Sequence, residues 1–210
     1  MFSDEGSGPI AGATEDTRAT AEQTRLLLRV TATGLAPLFV ALGAHVAVPM
    51  PPYGIPQTLQ TLAVILSALC LGPKLGLAAM ALYVVMGIVG VPLFADGDVG
   101  LQVILGQTGG YIIGFAACVP VITSIIKRRD GTVRGWGAFI VGVLAGHLVI
   151  FAIGVPWLWF VRWTDPANAI TWGDAFLYGM VVFLPGMVVK CAIAVVIGRI
   201  AAPWASKNIW

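Results

Sequence analysis

The chain contains apolar runs that are too long and too free of charge to be buried in a water-soluble domain. No Asp, Glu, Lys or Arg occurs between Arg29 and Lys74, and similar runs fill most of the remaining length. A helix needs about 20 mostly apolar residues to cross a bilayer. Only 10% of the 210 residues are charged, against about 25% in soluble domains. The sequence therefore predicts an all-α, polytopic membrane protein.

Prolines, glycines and charges divide these runs into six predicted spans. The predicted spans cover residues 26–48, 58–71, 74–89, 110–126, 136–160 and 172–200. Four prolines in the first loop cannot continue a helix, a short apolar turn over 101–105 precedes the fourth span, and Pro185 is expected to kink the sixth. We expect a six-transmembrane-helix bundle over residues 25–205. The polar, acidic residues 1–24 are expected to form a disordered cytoplasmic tail.

The basic residues fall in four places that six spans would put on one side of the membrane. These are the N-terminal segment, the turns after the second and fourth spans, and the C-terminal segment. Their members are Arg18, Arg25, Arg29, Lys74, Lys127, Arg128, Arg129, Arg134, Arg199 and Lys207. Because basic loops stay in the cytoplasm, we expect a multi-pass protein of the inner (plasma) membrane with both termini cytoplasmic.

Lys190 is a charged residue deep within the sixth span, and no carboxylate lies at a similar depth in any predicted span, since Asp174 stands at the external boundary of the sixth. A lysine at this depth costs about 2.5–3.5 kcal/mol on insertion scales, so it marks a functional site by default. If the protein does not provide the negative charge, a ligand would. The alternative is that Lys190 extends its stem toward the cytoplasmic surface.

The motifs of most enzymes and pumps are missing from this sequence. It contains no Walker A, HExxH, GxSxG or CxxC pattern, and its carboxylates lie in the tail and loops. His45 and His147 lie in different spans and are most simply packed residues. We therefore expect no ATPase of its own, no metal, no cofactor and no enzymatic activity, and the net charge of +2 gives no reason to expect nucleic-acid binding.

Two polar, glycine-rich segments open the second and fourth spans on the predicted external side. PQTLQT carries Thr58 and Gln60, and GQTGGY carries Thr108, Gly109 and Tyr111. Neutral amides and hydroxyls can bind a neutral polar ligand, and glycines let backbone amides approach it. The alternative is that the threonines only cap helices.

Taken together, several ordered motifs resemble the biotin-specific substrate-capture (S) components of energy-coupling-factor (ECF) transporters, the BioY family. The resemblance covers residues 35–197. It rests on VPMPPYGIPQTLQTLAV, the Gly-Pro-basic-x-Gly turn at 72–76, Tyr83, GVPLF at 90–94, GQTGGYIIGF at 106–115 and GMVVFLPGMVVK at 179–190. Two positions depart from the family pattern: Met187 stands where an acidic residue is common, and Gln107 where a proline is common.

The resemblance implies a membrane domain that binds biotin on the external side and moves it across the bilayer. It also implies two ATPase subunits and a transmembrane coupling protein as partners. The coupling protein is expected to dock on the first helix, where Ala32 and Ala36 form a small-residue face. The loop over residues 49–56 is expected to help close over the ligand.

Seven residues are the candidate ligand contacts under this resemblance. We hypothesise that Lys190 pairs with the biotin carboxylate. The polar ends of biotin would meet Gln60, Thr108 and Gly109, and its apolar faces would meet Tyr83, Phe94 and Tyr111. Three alternatives remain open at this point: the same fold serving another vitamin, a lysine-dependent intramembrane enzyme, and a scaffold without a ligand.

Overall fold

The computed structural model describes residues 8–50 and 55–210 and consists almost entirely of helices. The helices are α1 (Gly8–His45), α2 (Gln60–Ile88), α3 (Leu101–Leu105), α4 (Gly109–Ile126), α5 (Trp136–Trp163), α6 (Trp172–Gly179) and α7 (Leu184–Asn208). The only β-strands among the described residues are the antiparallel pair β1 (Ala47–Val48) and β2 (Gln57–Thr58). Five helical stretches are long and apolar enough to cross a membrane, with α6 and α7 taken together as one. The predicted all-α membrane fold is confirmed.

Helix α2 is a hairpin that contains both the second and the third predicted spans. Gly72 interrupts it with φ 71° and ψ −170°, a conformation that is essentially restricted to glycine. Gln60 and Tyr83 would lie roughly 34 Å apart in a straight helix, yet their side chains form a hydrogen bond. The first arm of α2 (60–71) therefore runs back along the second arm (73–88). Counting the two arms separately gives the six spans that the sequence predicts.

The first and last spans differ in detail from the prediction. Helix α1 begins at Gly8 instead of residue 26, so the backbone of residues 8–24, expected to be disordered, is helical; residues 1–7 lie outside the described residues. Strong helix formers such as Ala, Arg, Glu and Gln fill 18–25 and favour this extension. The last span breaks between α6 and α7, and Pro185 lies in the first turn of α7. Proline is tolerated there because the N–H groups of the first turn have no hydrogen-bond partner within the helix.

The predicted basic segments meet at one end of the bundle, which we call the basic end. Arg29 of α1 donates hydrogen bonds to the carbonyls of Ile209 (2.8 Å) and Trp210 (2.9 Å). The Trp210 indole donates to the Cys70 carbonyl (3.0 Å) beside the Gly72 turn, and the Lys127 ammonium lies 5.7 Å from the Trp210 ring centre. The segments at 29, 70–74, 127 and 209–210 therefore lie at the same end, as the charge pattern predicts.

Helices α4 and α5 approach each other closely through their glycines. A Cβ on Gly114 would lie 2.9 Å from the Ile150 Cα, and one on Gly146 would meet the Ile122 side chain. Small residues permit such close approach between membrane helices. The glycines of α4 and α5 thus serve packing within the bundle. Both helices also line the cavity described below.

Candidate functional site

A cavity of about 70 Å³ lies among α2, α4, α5, α7 and the end of the first loop. Most of its walls are aliphatic or aromatic, and a few polar side chains are placed among them. It is lined by Ile55, Pro56, Thr58, Gln60, Thr61, Tyr111, Ile112, Phe115, His147, Ile150, Phe151, Phe183 and Lys190. Apolar walls with a small number of placed polar groups are typical of sites for small organic ligands.

Lys190 is buried in the wall of this cavity, with 7% of its surface exposed. Its ammonium group donates hydrogen bonds to the Thr58 carbonyl (3.1 Å) and the Thr61 hydroxyl (2.8 Å). Both partners are neutral, and no carboxylate is among the described residues that line the cavity. Since an ammonium group carries three N–H donors, one remains for a ligand. Met187, at the position where an acidic residue is common, packs against the apolar core.

Gln60 also lines the cavity and is held in place from behind. Its side-chain amide donates to the Tyr83 hydroxyl, which in turn donates to the Leu93 carbonyl (3.1 Å). The Tyr83 ring meets Phe94 edge to face, with centres 5.5 Å apart. Tyr83 and Phe94 are almost fully buried and are not among the residues that line the cavity. They support Gln60 and do not form the cavity wall.

Tyr111 contributes a wall of the cavity from the first turns of α4. Its hydroxyl donates to the Gly179 carbonyl (2.8 Å) at the end of α6, and its ring lies directly against Gly154 of α5. A side chain on Gly154 would overlap this ring. The tyrosine therefore connects α4, α5 and the break before α7.

Thr108 and Gly109 lie apart from the cavity, at a separate outer groove. Thr108 lines that groove together with residues of 97–107, and its side chain makes no capping hydrogen bond at the start of α4. Gly109 packs against the backbone of Ile104. Of the seven candidate contacts, the structure thus brings Gln60, Tyr111 and Lys190 together around one cavity.

The first loop reaches this cavity at its described end. Residues 51–54 lie outside the described residues, so the predicted closure by 49–56 is not tested. The pairs Ala47–Thr58 and Val48–Gln57 hold the two ends of the loop together. Ile55 and Pro56 line the cavity.

Sequence reasoning did not select several residues of the site. His147 is 1% exposed and lines the cavity, but a single histidine in an apolar helix has no spacing that identifies it. In the sequence, Thr58 and Thr61 differ in no way from other polar residues that open a helix. Among the described residues, no group of three or more His, Cys, Asp or Glu side chains is placed to hold a metal ion.

This chain is similar to known proteins over most of its length. The model of the BioY family matches residues 16–207. A probable biotin transporter BioY from Pyrococcus horikoshii is 40% identical over 168 residues, covering 79% of this chain and 92% of the relative. The biotin transporter BioY of Rhodobacter capsulatus is 32% identical over 180 residues, covering 83% and 93%.

The fold is also similar to a solved structure. The 2.1 Å crystal structure of the S-component for biotin from an ECF-type ABC transporter superposes with a TM-score of 0.72 at 25% identity. The superposition covers 82% of this chain and 89% of the solved one. With a family match over nearly the whole length and relatives of this similarity, the chain belongs to the BioY family.

Proposed function

We propose that this chain is the membrane subunit that captures biotin and moves it across the bilayer as part of an ECF-type transporter. The observation that carries the proposal is the buried Lys190, whose ammonium group has two neutral partners and one N–H left over in a mostly apolar cavity. Relatives at 32–40% identity are named biotin transporters. We therefore assign the chain transport and not catalysis.

The chemistry of the cavity suits biotin, which combines an anionic tail with an apolar ring system and a neutral ureido group. Lys190 would pair with the carboxylate, Gln60 would bind a polar group, and Tyr111 would contact an apolar face. Tyr83 and Phe94 would act through Gln60. Thr108 and Gly109 would meet the ligand only on its approach, at the outer groove. Because small-molecule pockets usually enclose ~300–1,000 Å³, binding would require the walls of the 70 Å³ cavity to separate.

The membrane orientation follows from the distribution of basic residues. The basic end would face the cytoplasm together with both termini, and the cavity at the opposite end would receive biotin from outside. The protein would reside in the inner (plasma) membrane.

The partners would be two ATPase subunits and a transmembrane coupling protein. Ala32 and Ala36 of α1 line a shallow apolar groove together with Cys70 and Ile197. The small side chains of Ala32 and Ala36 leave room in this groove for a ridge of side chains from a partner helix. We propose it as the docking site for the coupling protein.

Calorimetry on the purified chain in detergent tests the ligand directly. We expect saturable binding of one biotin per chain and no comparable binding of other vitamins. Ligand recovered from the protein should be chemically unchanged, whereas an intramembrane enzyme would modify it. Tight binding of a different vitamin, or no saturable binding at all, would overturn the proposal.

A further inference from the structure

We infer that His147 is a ligand-contacting residue whose ring nitrogen Nε2 accepts a hydrogen bond from a ureido N–H of biotin. This inference rests on the proposed function and adds to it a residue that determines specificity. It assigns the N–H groups of the ligand to α5, whereas Lys190 on α7 is a donor and can bind only acceptor atoms.

The hydrogen bonding of the ring fixes which nitrogen carries the proton. Nδ1 of His147 lies 3.1 Å from the Val143 carbonyl of the same helix. A carbonyl oxygen can only accept, and the Cys191 sulfur near the same nitrogen can also act as a weak acceptor, so we assign the proton to Nδ1. In a neutral imidazole the other nitrogen, Nε2, is then an unprotonated acceptor.

The surroundings favour the neutral ring. Lys190 lines the same cavity, and Cys191, its neighbour in sequence, has its Sγ 3.4 Å from His147 Nδ1. A protonated imidazole would place a second buried cation beside the first, with no carboxylate among the described lining residues to offset it. The ring therefore presents a lone pair.

That lone pair has no partner within the described part of the chain. Nε2 is buried and makes no hydrogen bond, although the ring belongs to the lining of the cavity and is only 1% exposed. Buried polar atoms are almost always hydrogen-bonded, so an orphaned one at a ligand cavity needs a partner. A ligand N–H, pointing into the cavity wall, would supply it.

The ureido group is the part of biotin that fits this acceptor. Its two N–H groups are the only N–H donors of the ligand, whereas the carboxylate, the thioether sulfur and the ureido oxygen all accept. A site that hydrogen-bonds a particular N–H rejects analogues that lack it, because its own acceptor is then left unpaired.

Two substitutions separate the acceptor from the rest of the side chain. His147→Asn keeps a nitrogen near the Nδ1 position, able to donate to Val143, but puts no acceptor at the Nε2 position. His147→Gln can place its amide oxygen there. His45 is the matched control, since its Nδ1 contacts the Ala41 carbonyl in the same way but the residue does not line the cavity.

We expect His147→Asn to weaken biotin binding about tenfold, which corresponds to the loss of one hydrogen bond. His147→Gln should stay within about threefold of the wild type, and His45→Asn should bind unchanged. Biotin methylated on both ureido nitrogens should lose more affinity for the wild type than for His147→Asn. Equal losses would mean that His147 does not sense these groups.

A spectroscopic measurement on the wild-type protein keeps the test independent of how the variants fold. With ¹⁵N-labelled histidine, biotin should shift the Nε2 resonance of His147 and leave that of His45 in place. An unchanged His147 resonance in the biotin-bound protein would overturn the inference alone. So would unchanged binding to His147→Asn. Failure of the wild type to bind biotin would instead overturn the proposed function, and this inference with it.

Discussion

The two ends of the bundle hold a cation in different surroundings: Arg29 at the basic end is exposed, whereas Lys190 at the cavity end is buried. At the basic end, Arg29 donates to two backbone carbonyls at the end of α7, and helices α1 and α7 are joined by these bonds. At the cavity end, Lys190 has two neutral oxygens and a donor to spare, beside a histidine nitrogen with no partner. Burial is therefore what distinguishes the two contacts: the remaining N–H groups of Arg29 lie at an exposed surface, whereas Lys190 and His147 are enclosed in the wall of a cavity that a ligand can occupy.

Removing each cation in turn should separate the two ends by their effect on biotin binding. Lys190→Met should weaken biotin binding roughly ten- to a hundredfold, since a hydrogen bond to a charged group is worth about 1.5–3 kcal/mol. Arg29→Met is the matched control and should leave biotin affinity unchanged. Calorimetry on both purified variants measures the difference.

Biotin methyl ester identifies which part of the ligand Lys190 binds. The ester should bind the wild type more weakly than biotin does, and Lys190→Met should no longer distinguish the two ligands. If the ester binds the wild type as tightly as biotin, Lys190 does not pair with the carboxylate.

A substitution at the Gly72 turn should affect the basic end without affecting the ligand. Gly72→Ala puts a side chain on a backbone with φ 71° and within 2.8 Å of the Trp210 ring. Strain and overlap together should lower the free energy of unfolding by about 2 kcal/mol. Gly90→Ala is the control for backbone strain alone, because φ is 104° there but nothing lies within 4 Å.

Thermal unfolding in detergent, measured with and without biotin, reports both the stability of each variant and its ability to bind biotin. We expect the Gly72→Ala loss to exceed the Gly90→Ala loss, with biotin affinity retained in both variants. Equal losses would show that the Trp210 contact contributes nothing to the basic end.

The smallest expected effect comes from Thr61, which helps to orient the lysine. Thr61→Val removes the hydroxyl that accepts from Lys190 and should weaken biotin binding about threefold. Thr123→Val is a suitable control, because this buried hydroxyl donates within its own helix to the Val119 carbonyl. An effect of similar size in both variants would assign the change to general packing.

Much of the fold could be predicted because hydropathy and charge are strong signals in a membrane chain. The six spans and the common end of the basic segments follow from them, and an isolated charge such as Lys190 stands out in an apolar run. The Gly72-Pro73 pair indicates the chain reversal in the sequence, and the two predicted spans on either side of it are both present.

The composition of the cavity was harder to predict, because it depends on side-chain depth and rotation about each helix axis. Tyr83 and Phe94 belong to the family motifs, yet they lie behind Gln60 and do not line the cavity. The order of motifs along a sequence does not tell which residues line a cavity and which lie behind them. His147 has no motif at all. His147 is identified as a site residue only by its position in the folded protein, where α5 faces α7 across the cavity. That position depends on how closely the glycines of α4 allow α5 to approach.

The short β1–β2 ladder gives the first loop a direct connection to the charged group of the site. Thr58 pairs with Ala47 across the ladder, its hydroxyl accepts from the backbone N–H of Gln60, and its carbonyl accepts from Lys190. Moving β2 by a few ångströms would therefore remove one of the two partners of the lysine. Thr58 thereby links the position of the first loop to the hydrogen bonding of the buried cation.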